Sequence, residues 1–139
     1  GVVTIATPAL GIGLWPDAPL ESPWVSGDRG DVAGDGSVKI SGRADRVIIT
    51  GGEKVDPARV EATLAAVAAV QVFGLPDGQW GERVVALVVG DASLEPDLRQ
   101  AAERLEPAAR PKAYAFVAEL PTDARGKFDL AAARARFPA

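Results

Sequence analysis

Three charged side chains stand where a loop or strand end could offer them to a small sugar- or phosphate-bearing ligand. Asp28 lies in Ser26-Gly27-Asp28, read as a turn, with a carboxylate open to two hydrogen bonds. That suits a vicinal diol such as the 2′,3′ pair of a ribose, but a turn aspartate also bonds its own backbone and then needs no ligand. Arg43 closes a candidate hairpin and could reach the same ribose or a phosphate, or simply be a rim charge. Lys127, in Arg125-Gly126-Lys127-Phe128-Asp129, follows a glycine that lets the loop approach a ligand closely. Taken singly, it is as well explained by solvation.

The zeros in the composition narrow the chemistry. The 139 residues contain no cysteine and no histidine, which removes disulfides, thiolate nucleophiles, most zinc sites and every Ser-His or Cys-His pair. We therefore expect no metal ligands in this chain. A net charge of −4 gives no basic field for nucleic acid or an anionic membrane. A hydrophobic share of 47% against 24% charged residues reads as globular. The opening GVVTIATPALGIGLW is broken by Pro8, Gly11 and Gly13, lacks a basic start, and is neither signal peptide nor membrane span. A cytoplasmic location is expected. Gly1 opens directly on a strand-like pattern without a methionine, which we read as a chain cut from a longer one.

The elements that must position these groups follow from residue pattern. Val2 to Ala6 is β-branched and reads as a strand, followed by a Pro/Gly-rich loop through Pro23. SGDRGDVAGDGSVKISGR reads as a hairpin, with short strands at Asp31-Val32 and Val38-Lys39-Ile40 and a turn at Gly34-Asp35-Gly36. Val47 to Thr50 is the next strand. A helix then starts at Pro57, capped by Asp56, with Val60, Leu64 and Val67 on one face. Val70 to Leu75 and Arg83 to Val89 are strands, the second apolar enough to be central. Leu94 to Leu105 reads as a helix capped by Ser93, Ala113 to Val117 as a strand, and LPTDARGKFD as a polar loop. Asp129 caps a last helix running to about Phe137.

The segment GRADRVIITGGEKVDP is unusual among these. Val47-Ile48-Ile49, read as three buried residues, is fenced by Arg43, Asp45 and Arg46 on one side and by Gly51-Gly52 on the other. Before it the pattern is all strand and turn; after it strands and helices alternate. That places a boundary near residue 43, with an α+β unit from 44 to 139.

These pieces together resemble the C-terminal end of the acyl- and aryl-CoA ligase branch of the adenylate-forming superfamily. The likeness rests on SGDRGDVAGDGSVKISGRADRVIITGGEKVDPARVE, VFGLPDGQWGERVVALVV and PKAYAFVAELPTDARGKFDL, in the family's order. It implies a small C-terminal lid domain of mixed sheet and helices over residues 44–139. Residues 1–43 would be a β-rich remnant of the large adenylation domain. By position, Asp28 matches the aspartate that holds the ribose hydroxyls of ATP or the acyl-adenylate, and Arg43 an arginine that also contacts the nucleotide. Asp45 matches the hinge between the two domains. Gly51 and Gly52 match a glycine strand facing the pantetheine arm of CoA. Lys127 matches the lysine that enters the site during adenylation.

The same resemblance implies ATP with magnesium, bound mainly by the large domain, CoA as co-substrate, and that large domain as partner. The family's Ser/Thr/Gly-rich phosphate loop, acidic magnesium ligand and acyl pocket have no counterpart in these residues, so the chain by itself is expected to be inactive. Arg46 after the hinge position and Leu130 after the lysine loop depart from the common pattern; neither touches a named role. The rival reading is a non-catalytic interaction module that kept the lid fold. A glycine-rich phosphate loop encoded upstream of Gly1 would separate the two. Arg29-Gly30-Asp31 spells an adhesion tripeptide but leads into a hairpin strand. Trp15, Trp24 and Trp80 are too scattered for a stacking platform and read as packing.

Overall fold

The structure, a computed structural model, describes residues 1–11, 13, 14, 18, 19 and 23–138. Trp15 lies outside them. The chain divides into two compact units, Gly1–Asp45 and Arg46–Ala139.

The first unit is built of strands: β1 (Val2–Ile5), β2 (Gly13–Leu14), β3 (Ala18–Pro19), β4 (Trp24–Val32) and β5 (Val38–Arg43). β4 lies between β1 and β5, antiparallel to both, and β2 pairs with β3. β4 is nine residues long, where the sequence suggests only its last two. Its glycines mislead, because they act through close approach and not as turn punctuation. A Cβ on Gly27 would lie 2.6 Å from Arg43 Nη2, and one on Gly30 would lie 2.7 Å from the Lys39 carbonyl oxygen. Asp28 is consequently a strand residue and not a turn residue. In the β4–β5 turn only Gly36 takes a positive φ, +83°. There Asp35 accepts hydrogen bonds from the Ser37 amide at 2.9 Å and hydroxyl at 2.7 Å.

The second unit has the α+β mixed sheet that the sequence indicates. It comprises β6 (Ile48–Thr50), β7 (Glu53–Val55), α1 (Pro57–Leu64), β8 (Val70–Asp77), β9 (Gly81–Val89), α2 (Glu95–Ala102), β10 (Ala113–Val117) and α3 (Leu130–Arg134). β9 is the hub: β8 runs antiparallel along it, β10 is parallel to it, and β6 meets it at Thr50 and Gly81. Alternation along β9 feeds two cores. Val84, Ala86 and Val88 join Val60, Leu64, Leu98 and Leu105, while Val85 and Leu87 join Phe73, Ala133 and Phe137. The near-continuous apolar run of β9 is thus explained by burial on both faces.

Three expectations are corrected here. Of Val47-Ile48-Ile49, only Ile48 is fully buried; Ile49 is 53% exposed, because alternate strand residues face opposite ways. Between Gly52 and the helix lies β7, which the sequence reading passes over. The turn before α2 is closed by Asp91, whose carboxylate accepts the Ser93 N–H at 2.9 Å, so Ser93 is the donor and not the cap. Asp56 and Asp129 do cap α1 and α3, accepting from the Ala58 and Ala132 amides. No helix among the described residues is long and apolar enough to cross a membrane.

Candidate functional site

Antiparallel register sets Asp28 on β4 opposite Arg43 on β5. The Arg43 guanidinium makes a two-pronged pair with Asp45, Nε to Oδ1 and Nη2 to Oδ2, both at 2.9 Å. Its Nη1 lies 3.5 Å from Asp28 Oδ1, longer than a good hydrogen bond. The missing Cβ of Gly27 makes room for the guanidinium. Hydrogen bonding and charge from Asp45 hold the Arg43 pKa above its ordinary value. The Asp28 side chain is 42% exposed, so its second oxygen remains available. Asp28, Arg43 and Asp45 therefore form one cluster with a carboxylate still open to a diol.

Gly51 and Gly52 form the two-residue connection of the β6–β7 hairpin, with φ of +57° and +83°. Two consecutive positive φ values are what such a tight turn requires. The pair is therefore a turn, not the glycine strand that the resemblance implies. Gly51 has a second role: its N–H donates to the Trp80 carbonyl at 2.9 Å, and a Cβ there would stand 2.8 Å from the Trp80 ring. Nothing lies within 4 Å of the Cβ direction of Gly52.

The turn leading to Trp80 is fixed by Asp77, which accepts the amides of Gln79 at 2.9 Å and Trp80 at 3.0 Å. Those two bonds depress the Asp77 pKa. Gly51, Glu53, Asp77, Trp80, Arg83 and Lys112 border an open cavity of about 580 Å³. Trp80 is 52% exposed, and Arg83 keeps a buried Nε without a partner while its Nη2 donates to the Pro138 carbonyl. Lys112 Nζ donates to the Pro107 carbonyl at 3.0 Å. The sequence reading missed Trp80, Arg83 and Lys112 as site residues. The signal was available in part: a tryptophan inside PDGQWGE, flanked by a glycine, is poorly placed for a core.

Lys127 does not line that cavity. It ends a tight loop inside a small bridge between Thr122 and Phe128. Gly126 turns the chain with φ +74°. Asp123 Oδ1 accepts the backbone amides of Arg125 at 2.8 Å and Lys127 at 3.0 Å, and Asp123 N–H donates back to the Lys127 carbonyl at 2.7 Å. The bond from Lys127, followed by that from Arg125, lowers the Asp123 pKa. The lysine is exposed, and among the described residues its ammonium makes no salt bridge. The loop thus fixes the backbone of Lys127, while its ammonium acts on Asp123 through charge and makes no salt bridge with it.

The chain is similar to known proteins. Residues 60–127 match the AMP-binding enzyme C-terminal domain. The 4-chlorobenzoate–CoA ligase of a Pseudomonas species is 42% identical over 106 residues, which is 68% of this chain and 19% of that protein. A probable 2-succinylbenzoate–CoA ligase of Mycobacterium tuberculosis is 41% identical over 133 residues, 88% of this chain and 35% of that one. Among solved structures, the amide bond synthetase McbA of Marinactinospora thermotolerans superposes with a TM-score of 0.83 at 30% identity, covering 99% of this chain and 31% of its own. The chain spans about a fifth to a third of the length of these relatives.

Proposed function

Residues 60–127 are an AMP-binding enzyme C-terminal domain, which places the chain in the adenylate-forming superfamily, and from that premise we propose that it is the lid end of an ATP-dependent carboxylate–CoA ligase working through an acyl-adenylate. The observation that carries the proposal is Lys127: a backbone held in place, an ammonium in no salt bridge among the described residues.

In adenylation a carboxylate attacks the α-phosphorus of ATP, and negative charge concentrates on phosphoryl oxygens as pyrophosphate leaves. A positioned ammonium stabilises that charge. Lysine suits the task as a compact point charge on a long stem, able to arrive and withdraw. Asp28 would accept the ribose hydroxyls, with Arg43 beside it contacting the nucleotide. Thioester formation needs the lysine withdrawn and a channel for a thiol on a thin arm. In this proposal Gly51-Gly52 forms one wall of that channel, Trp80 standing over it, and the backbone at Asp45 turns to exchange the two arrangements. No group of three or more acidic ligands that could hold a metal ion exists among the described residues. Magnesium that accompanies ATP is assigned in this proposal to the large domain and the nucleotide phosphates, and no step here runs through it.

The acid we assign is o-succinylbenzoate, of menaquinone synthesis, supported by the 41% identity to the probable 2-succinylbenzoate ligase over 88% of this chain. A second reading, another aryl or fatty acid, is favoured by the 42% identity to the 4-chlorobenzoate ligase over a shorter stretch. The relevant partners are the large domain, the acid, ATP and CoA, in the cytoplasm.

The test uses the longer protein that carries this chain. Lys127→Ala lowers acyl-adenylate formation roughly 10²–10³-fold and leaves thioester formation from preformed adenylate much less affected. Equal loss in both half-reactions sinks the assignment of Lys127. Turnover of a panel containing o-succinylbenzoate, 4-chlorobenzoate and a fatty acid decides the substrate.

A further inference from the structure

The loop that ends at Lys127 is organised by one side chain with no part in the chemistry above. Asp123 takes the amides of Arg125 and Lys127 on Oδ1. Its Oδ2 takes the Arg125 guanidinium, from Nε at 3.2 Å and Nη2 at 3.1 Å. Its own N–H donates to the Lys127 carbonyl, and its carbonyl accepts the Gly126 N–H at 2.9 Å. One residue therefore holds both backbone polar groups of Lys127, and the positive φ of Gly126 lets the chain close around it.

We propose that Asp123 is a positioning residue for Lys127: its carboxylate sets the lysine's backbone while the Arg125 guanidinium engages the oxygen that would otherwise compete for the lysine's ammonium. The arrangement separates two needs that conflict. A bare acceptor near Lys127 would orient the loop but also draw the ammonium onto itself. With Oδ1 facing two amides and Oδ2 facing a guanidinium, the carboxylate has its hydrogen-bonding capacity largely engaged. The Lys127 ammonium acts on Asp123 only through charge, after the two amides and the Arg125 guanidinium, and forms no salt bridge with it among the described residues.

The inference rests on the adenylation role given above to Lys127, and its test separates the two. In the longer protein Asp123→Ala lowers adenylation roughly 10–100-fold through misplacement of the lysine, while thioester formation from preformed adenylate holds. Asp123→Asn, which keeps an oxygen acceptor for the two amides, stays within a few-fold of the parent. In parallel, amide exchange at Lys127 accelerates in the alanine variant and not in the asparagine variant, with the β9 amides unchanged as a check on folding. Alanine and asparagine variants that both retain adenylation while Lys127→Ala loses it overturn the inference and leave the Lys127 role standing. Loss of both half-reactions alike in Asp123→Ala also overturns it. Should Lys127→Ala itself leave adenylation intact, the role assigned to Lys127 falls, and the inference falls with it.

Discussion

At the scale of single residues, the loop acid gives a titration that can be followed directly. Asp123 has its pKa lowered in the folded chain, first by the Lys127 amide and then by the Arg125 amide. A depressed folded value means that the stabilisation is fully present above the ordinary carboxylate pKa and is lost as pH falls through the folded one. The Arg125 and Lys127 amide resonances should therefore stay constant through neutral pH and shift together with a midpoint below 3.8, the ordinary value. Asp123→Asn abolishes that shift. A midpoint at or above the ordinary value would contradict the bonding described. Glycines give a second residue-scale contrast. Gly51→Ala meets both a positive φ and the Trp80 ring, and should destabilise by more than the roughly 1–2 kcal/mol of the left-handed backbone alone. Gly34 has neither constraint, so Gly34→Ala stays within about 0.5 kcal/mol in urea denaturation.

Elements show what pattern can and cannot reveal. The start of α1 was legible because its signal is local: Asp56 accepts from Ala58, two residues away, and Pro57 follows. Asp56→Ala should lower stability by about 1 kcal/mol in chemical denaturation, and a change near zero would argue against a working cap. β7 was not legible, since Glu53-Lys54-Val55 carries only one buried residue and its strand character comes from pairing with β6. Nor was the role of Arg46, which reads as a departure from pattern. Its guanidinium bonds Glu61 on α1 and the Val72 carbonyl on β8, while Glu61 also accepts the Val72 amide at 2.9 Å and the Gln71 side chain at 2.8 Å. Partners 15 and 26 residues away leave no trace in local spacing. Removing the acceptor strands several donors, so Glu61→Ala should destabilise by roughly 1–3 kcal/mol. Glu61→Gln, which keeps an oxygen, should lose less; equal losses would mean that the helix–strand junction does not depend on that acceptor.

For the whole molecule, stability should be unevenly shared between the two units. From Arg46 on, β9 is buried on both faces, with Val84, Val85, Ala86, Leu87 and Val88 inaccessible to solvent. In the unit before it, Val2, Val25, Val32, Val38 and Ile40 all remain about half exposed or more, and Ser26 is the buried residue among those described. A sheet that covers so little apolar surface gains little from folding, whereas a two-sided core opens only when the whole unit does. Amide exchange should accordingly find the β8, β9 and β10 amides of residues 70–117 opening together as one cooperative unit, and those of β4 and β5 exchanging at least roughly 100-fold faster. Local hydrogen-bond geometry cannot produce that difference, because β4 is paired on both sides just as β9 is. Burial can. Uniform protection across residues 24–43 and 81–89 would mean that the first unit draws stability from something other than its own core, and the account of two unequal units would have to be given up.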